Sequence, residues 1–381
     1  MEFNFRQERG QEIAKLDGEV KRVDQHFYRV NSQSGNGLYD IIEGELGWLC
    51  SCPDHIYRGV KCKHIWAVEF SLTYRKVVAE IHTVVEPVQN PMACKSCGSS
   101  NLLKYGVRHN KTGDIQKYSC KDCGAFFTVN LGFEKMKSSP AIVTSAMQLY
   151  FSGLSLRRVT ECLKLQGVNV SHVAVLKWIR KYVSIMEKYA DSLRPNLGDT
   201  WRADELYVKM KGDMKYLFSL MDDQTKYWIA EEVADTKYAH DARRLFQMGK
   251  ELAGKRPETL ITDGLPSYNE AYRKEFWTAK KATRTEHIRH IHLQGDMNNN
   301  AMERFNGSVR DREKVMRSLK NQDTPIVKGY RLYFNFIREH QALDGKTPAE
   351  ASGIQVKGND KFMALIQNAT ISKTEAKKEG T

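Results

Sequence analysis

The chain has 381 residues and a formal net charge of +13, with a pI near 9.2. That length allows two or three domains, and the positive excess points to a polyanionic partner, nucleic acid first. No apolar run approaches the roughly 20 residues that span a bilayer. The start, Met1 to Arg9, also lacks the apolar core of an export signal. Membrane and secreted classes are therefore set aside, and the expected location is the cytoplasm or the nucleoid.

Residues 1–45 are weakly patterned and suggest a few short strands. Cys50-Ser-Cys52 and Cys62-Lys-His64 follow. Four such ligands suit a structural zinc ion, and an intracellular chain favours zinc over disulfides. His55 lies between the pairs as a competing ligand with a poorer spacing. The second pair opens Ile65-Trp-Ala-Val-Glu-Phe, which reads as a helix. Cys-x-Cys followed by Cys-x-His resembles a SWIM zinc finger, so residues 1–85 are taken as a SWIM-like region.

Glu86-Pro-Val-Gln-Asn-Pro reads as a linker. Beyond it, Cys94-Lys-Ser-Cys97-Gly and Cys120-Lys-Asp-Cys123-Gly form two Cys-x-x-Cys knuckles, the spacing of a zinc ribbon over 86–135. Between them, Tyr105–Arg108 and Gln116–Ser119 read as strands around a Lys111-Thr-Gly-Asp turn. Arg108, His109, Lys111 and Lys117 make this hairpin basic. Two structural zinc ions are therefore expected in the chain.

Residues 136–192 read as three helices. The first begins at Pro140, the second after Ser155, and the third runs from Ser171 through Tyr189. A short glycine-containing turn between the last two suggests a helix-turn-helix. On the third helix Lys177, Arg180, Lys181 and Lys188 share one side, while Leu176, Ile179, Val183 and Met186 share another. This is the division expected of a DNA-recognition helix with its back in a core; an amphipathic surface helix gives the same pattern. Cys162 falls on an apolar face and reads as core.

From 193 to 355 the pattern changes to strands over 203–210, 215–222, 227–233, 259–263 and near 287–293. Helices fall at 239–253, near 267–276, and from about Asn299. Three strands joined by tight turns, then alternating helices and strands, imply a mixed sheet with helices on its faces. Residues 356–381 are left as a C-terminal tail. Three acids stand out: Asp204 in Trp201-Arg-Ala-Asp, Asp263 in Thr262-Asp-Gly, and Glu303 in Asn298-Asn-Asn-Ala-Met-Glu-Arg-Phe-Asn-Gly. Each alone has an ordinary explanation: a surface strand position, a turn residue, a helix N-terminal acid. Together they suit two divalent cations, with Asp204 bridging both and Asp263 and Glu303 each completing one. Glu205, Asp222, Asp223, Asp296 and Glu313 are the neighbours most easily mistaken for ligands. His290 and His292 read as polar lining. Along the last helix Arg310, Lys314 and Arg317 continue the Glu303 stripe as a phosphate track, and Gly307 beside it would admit a DNA backbone.

These motifs make the chain resemble an insertion-sequence DDE transposase with a retroviral-integrase-like core. The resemblance spans the ribbon, the helix-turn-helix and the core motifs. It also takes in the Tyr333-Phe-Asn-Phe-Ile-Arg-Glu-His-Gln-Ala-Leu-Asp-Gly-Lys-Thr-Pro segment. It implies a multidomain α/β protein whose RNase H-like catalytic core follows small zinc modules and a helical DNA-binding domain. It also implies two Mg2+ or Mn2+ ions on Asp204, Asp263 and Glu303. Double-stranded transposon ends and target DNA are the implied substrates, handled by a homodimer or larger assembly. Asp263 and Glu303 are 40 residues apart, longer than the usual gap, which keeps Asp296 as the next candidate. A zinc-dependent DNA-binding regulator that has lost its chemistry is the alternative.

Overall fold

A computed structural model describes the chain except residues 1–4, 17–18, 24–25, 36, 45–46, 79–82, 89–92, 95, 111–112, 129–130, 135, 211, 291–299, 317–324 and 380–381. The first module holds α1 (Phe5–Lys15), strands β1 (Val20–Arg22), β2 (Phe27–Asn31), β3 (Leu38–Gly44) and β4 (Gly47–Cys50), then α2 (Pro53–Arg58) and α3 (Lys63–Val78). The strands form an antiparallel sheet in the order β1-β2-β3-β4. Gly10 lets α1 lie against α3, because a Cβ there would overlap Trp66 and the backbone of Lys63. This module rests on the strands that carry Thr200 and Glu286. Arg29 Nη1 lies 2.5 Å from Glu286 Oε1, and the Thr200 hydroxyl donates to the Arg22 carbonyl.

After β5 (Thr83–Val85), the ribbon is a three-stranded antiparallel sheet of β6 (Leu102–Asn110), β7 (Gly113–Cys120) and β8 (Phe126–Thr128). Three helices follow, α4 (Pro140–Phe151), α5 (Leu156–Leu165) and α6 (His172–Ser192). Ser155 and Ser171 cap the last two, their hydroxyls accepting from Arg158 N and Ala174 N. Gly167, at a φ of +77°, turns the chain out of α5.

The largest sheet contains β9 (Thr200–Met210), β10 (Asp213–Asp222), β11 (Trp228–Ala234), β12 (Thr259–Asp263) and β13 (Glu286–His290). Its order is β11-β10-β9-β12-β13. The first three strands are antiparallel meander neighbours, and β12 runs parallel to both β9 and β13. This is the RNase H-like mixed sheet that the resemblance implies. Helices α7 (Ala239–Ala253) and α8 (Pro266–Glu275) cover one face, and α9 (Asn300–Glu313) and α10 (Pro325–Leu332) the other. Strand alternation divides them: Ile229 lies towards Gly249 of α7, whereas the neighbouring Trp228 packs edge-on against Phe305 of α9 at 4.7 Å.

The chain closes with α11 (Pro348–Ala351), β14 (Ile354–Val356) and α12 (Lys361–Glu379). Strand β14 pairs in parallel with β5, and α12 packs on α4 and α6. Residues 361–379, expected as a tail, are thus part of the fold, packed on the α4–α6 helices.

Sheet edge β11 is finished by a side chain. Asn335, in a π-helical turn after α10, accepts from Trp228 N at 2.8 Å and donates to Trp228 O at 2.9 Å. The amide thus imitates one rung of a further strand. Asn335→Ala leaves both buried backbone groups unpaired and is expected to cost about 2–4 kcal/mol, read as a lower urea midpoint.

Candidate active site

Asp204 and Asp263 reach one another through strand register. The last aligned pair of the parallel β9–β12 ladder is Thr262 with Ala203, so the two aspartates are the next residues on adjacent strands. There β12 ends, in the Asp263-Gly264 turn, where Leu265 N donates to Asp263 Oδ1 at 3.0 Å. Arg289 of β13 braces the turn through a 3.1 Å bond to the Gly264 carbonyl. Asp204 Oδ1 accepts from Glu205 N at 2.9 Å, and its Oδ2 accepts from Asn306 Nδ2 of α9 at 2.8 Å. One oxygen each from Asp204, Glu205 and Asp263 lies within 4.8 Å of the others, a spacing that suits a shared cation.

Electrostatics fit that use. Burial pushes the Asp204 carboxyl up to about 7, and the charges of Glu205 and Asp263 add to the effect. Asp263 is raised as well, by burial and then by Glu205. Close carboxylates that resist ionising together gain from a divalent cation, whose oxygen ligands they are suited to be. His287, two strands away, is held down to about 4 by burial and the neighbouring Arg289, so it is a neutral partner for the Thr262 hydroxyl at 3.0 Å.

Glu303 is outside this cluster. Its side chain is exposed near the start of α9, one turn before Asn306, which puts it on the helix side that touches Asp204. The other nearby acids are tied to structural partners. Asp222 accepts from the Thr225 backbone and hydroxyl at 2.7 and 2.6 Å. Asp223 pairs with Arg202 at 2.8 Å, both side chains 1% exposed, and with Lys226 at 3.2 Å. Glu313 accepts from Lys209 N at 2.7 Å and so ties α9 to β9. Asp296, His292 and Arg317 lie outside the described residues, as does the His290 side chain. Arg310 and Lys314 are exposed, and Lys314 pairs with Asp311 at 2.7 Å. On α6, Lys177, Arg180, Lys181 and Lys188 are all exposed, although Lys181 also reaches the Gly132 carbonyl at 3.4 Å.

The cysteine groups satisfy zinc geometry. His64 Nδ1 lies 3.9 Å from both Cys50 Sγ and Cys62 Sγ, and Cys52 completes the group. In the ribbon, Cys94 Sγ to Cys123 Sγ and Cys97 Sγ to Cys120 Sγ are both 3.6 Å, close to a tetrahedron edge around one ion. Backbone N–H groups of the knuckle, Cys97 first, help hold the Cys94 thiol down to about 6, which favours the thiolate that zinc needs. His55 is not in this group of four; its Nδ1 bonds the Val60 carbonyl at 2.8 Å.

Residues 198–340 match the family model of a DDE domain, and residues 29–72 match that of a SWIM zinc finger. The chain is similar to insertion-sequence DDE transposases. Among curated proteins it is 31% identical over 138 residues to the transposase for insertion sequence element IS257 in transposon Tn4003 of Staphylococcus aureus. It is equally identical, over the same length, to that for the insertion sequence-like element IS431mec of the same organism. In each case the match covers 35% of this chain and 59% of the relative, so the chain spans about three fifths of the length of these relatives. Among solved structures, the HTLV-2 integrase catalytic core domain in complex with magnesium aligns at 18% identity and a TM-score of 0.31. That alignment covers 42% of this chain and 98% of the integrase core. A simian T-cell lymphotropic virus intasome aligns at 15% identity and a TM-score of 0.32, covering 54% of this chain and 72% of the other. The DDE match encloses Asp204, Asp263 and Glu303 alike, and the SWIM match encloses Cys50, Cys52, Cys62 and His64.

Sequence reasoning missed three neighbours of the site: Asn306, Lys237, whose ammonium bonds Glu205 Oε1 at 2.8 Å, and Tyr268, whose hydroxyl faces the Glu205 carboxylate. Asn306 had a signal, because it follows Glu303 at helical spacing. Lys237 and Tyr268 had none, since each is brought in by tertiary packing.

Proposed function

We propose that this chain is the transposase of a mobile insertion element. It would cut phosphodiester bonds at the element's ends and transfer the 3′-ends into target DNA. The observation that carries the reading is the meeting of Asp204 and Asp263 at adjacent strand ends, with α9 bonded to Asp204 through Asn306. Bound there, two Mg2+ or Mn2+ ions would activate a water or 3′-hydroxyl and stabilise the leaving oxygen. Asp204, Asp263 and Glu303 are the residues proposed to hold them. Glu303 needs only to turn towards the cluster from its place one helical turn away. Asn306 fixes the Asp204 carboxylate, and Arg289 keeps the Asp263 turn in place.

Double-stranded DNA is the proposed substrate. Lys177, Arg180, Lys181 and Lys188 of α6 would meet the phosphates of the element's ends, and Arg310, Lys314 and Arg317 those nearer the acids. Pairing two ends calls for at least a homodimer during the reaction. Among the described residues no helix is long and apolar enough to cross a membrane, and the proposed place of action is the cytoplasm or nucleoid.

Asp263→Asn tests the chemistry. With Mg2+ and a DNA fragment carrying the element's end, the wild type is expected to nick the end. The variant should bind the same fragment without nicking it. Equal nicking by both proteins would refute the assignment.

A further inference from the structure

Glu205 is the acid of the cluster to which the three-acid reading gives no role. Its side chain is only 6% exposed, and its two oxygens differ. Oε1 takes an ion pair from Lys237 Nζ at 2.8 Å, whereas Oε2 is buried without a hydrogen-bond partner. Lys237 is itself held from outside the cluster. Its ammonium lies 4.9 Å from the ring centroids of both Tyr207 and Tyr216, which are 4.7 Å apart. Tyr268 of α8 approaches from below. It is wholly buried, its hydroxyl faces the Glu205 carboxylate, and the charges of Glu205, Asp204 and Asp263 act on it. A buried carboxylate oxygen without a well-formed hydrogen bond is costly to keep. Such an arrangement is what remains when a site is shaped for a group that bonds there.

Resting on the DNA-cutting reading of this site, we propose that Glu205 is a further ligand of the divalent cation held by Asp204 and Asp263. Lys237 is its latch and Tyr268 its positioning hydroxyl. Lys237 occupies Oε1 and so presents Oε2 to the cation, while the Tyr268 hydroxyl lies where it can donate to the same carboxylate. Glu205 already places an oxygen within 4.8 Å of those of Asp204 and Asp263. The latch also carries a cost, because a fixed ammonium beside the site repels the cation. Metal affinity is thereby kept low in the free protein and rises when DNA phosphate adds negative charge.

The test is Mn2+ titration by calorimetry on the zinc-loaded full chain without DNA. Glu205→Gln is expected to weaken Mn2+ binding about tenfold. Lys237→Met keeps the stem over the two rings but removes the charge, and is expected to tighten binding several-fold. A purely structural role for the pair would not give shifts of opposite sign. Asp204→Asn is the reference. If it too leaves Mn2+ binding unchanged, the metal-site reading itself has failed. If Asp204→Asn abolishes binding while Glu205→Gln keeps wild-type affinity, only the role given to Glu205 is overturned. Should Glu205→Gln not fold, Lys237→Met decides alone: unchanged or weaker binding overturns the latch.

Discussion

An Asp204→Asn chain is expected to lose end cleavage by at least about a thousandfold. It should nonetheless melt above the wild type in cation-free buffer at pH 8. The two effects share one cause. Asp204 sits among Glu205 and Asp263, and its carboxyl is raised to about 7 by burial and by their charges. In the unfolded chain the same carboxyl ionises near pH 4. Below that pH both states are protonated and the site costs nothing. As the pH climbs from about 4 to 7, the unfolded state gives up its proton first, so the folded state loses ground. Above 7 the full penalty stands, on the order of 3–4 kcal/mol. Asparagine removes it, and in the wild type a bound divalent cation offsets it. Thermal melts at pH 6 and pH 8, with and without Mn2+ in resin-treated buffer, check this. The wild type should gain stability from Mn2+ mainly at pH 8, and Asp204→Asn should gain little at either pH. A wild type that melts higher at pH 8 than at pH 6 without cation would sink the account.

Cys62→Ser carries the second large effect. Cys62 is fully buried beside Cys50, Cys52 and His64, and the strands and helix that bring these four together hold a small core around Ile41, Ile65 and Val68. A core of that size gives little stability alone. Structural zinc in small modules supplies about 10–16 kcal/mol, and with one thiolate missing most of this is lost. The zinc content should fall from two ions per chain to one by elemental analysis. The module should become open to limited proteolysis. Damage should also reach the large sheet, because Arg29 and Arg22 would no longer hold Glu286 and Thr200. Unchanged zinc content in the variant would show that the four residues do not share an ion.

Much of this was legible in the chain. The strands of the DDE domain and α7 announce themselves by alternation and helical period, and the serine caps of α5 and α6 fall where side-chain chemistry puts them. Helix α1 was not legible. Its residues, Phe5–Lys15, carry a central glycine that reads as a breaker, yet Gly10 is needed for α3 to come close. By sequence Glu205 is only a neighbour easily mistaken for a ligand, and strand alternation, which points successive residues to opposite faces, gives no reason to bring it to Asp204. Asp204 does pair with Ser219 and Glu205 with Phe218, which places them on the α9 and α8 sides. The rule gives way because β12 stops at Asp263. Past that point no strand separates the two faces, and a long glutamate side chain can come round the end. The third acid stays the least legible. Glu303 follows residues 291–299, which lie outside the described residues, and its exposed side chain stands one helical turn from Asn306.

The packing of α12 on α4 and α6 has a consequence for synthesis. The apolar back of α6, with Tyr182, Val183 and Met186, is covered by residues such as Phe362, Leu365 and Ile366, made some 180 positions later. Until α12 is made, that back is covered only in part, by α4, α5, α10 and Phe133. The packing of α6 is therefore completed only after α12 has been made, so the order of translation separates the making of this helix from the closing of its core.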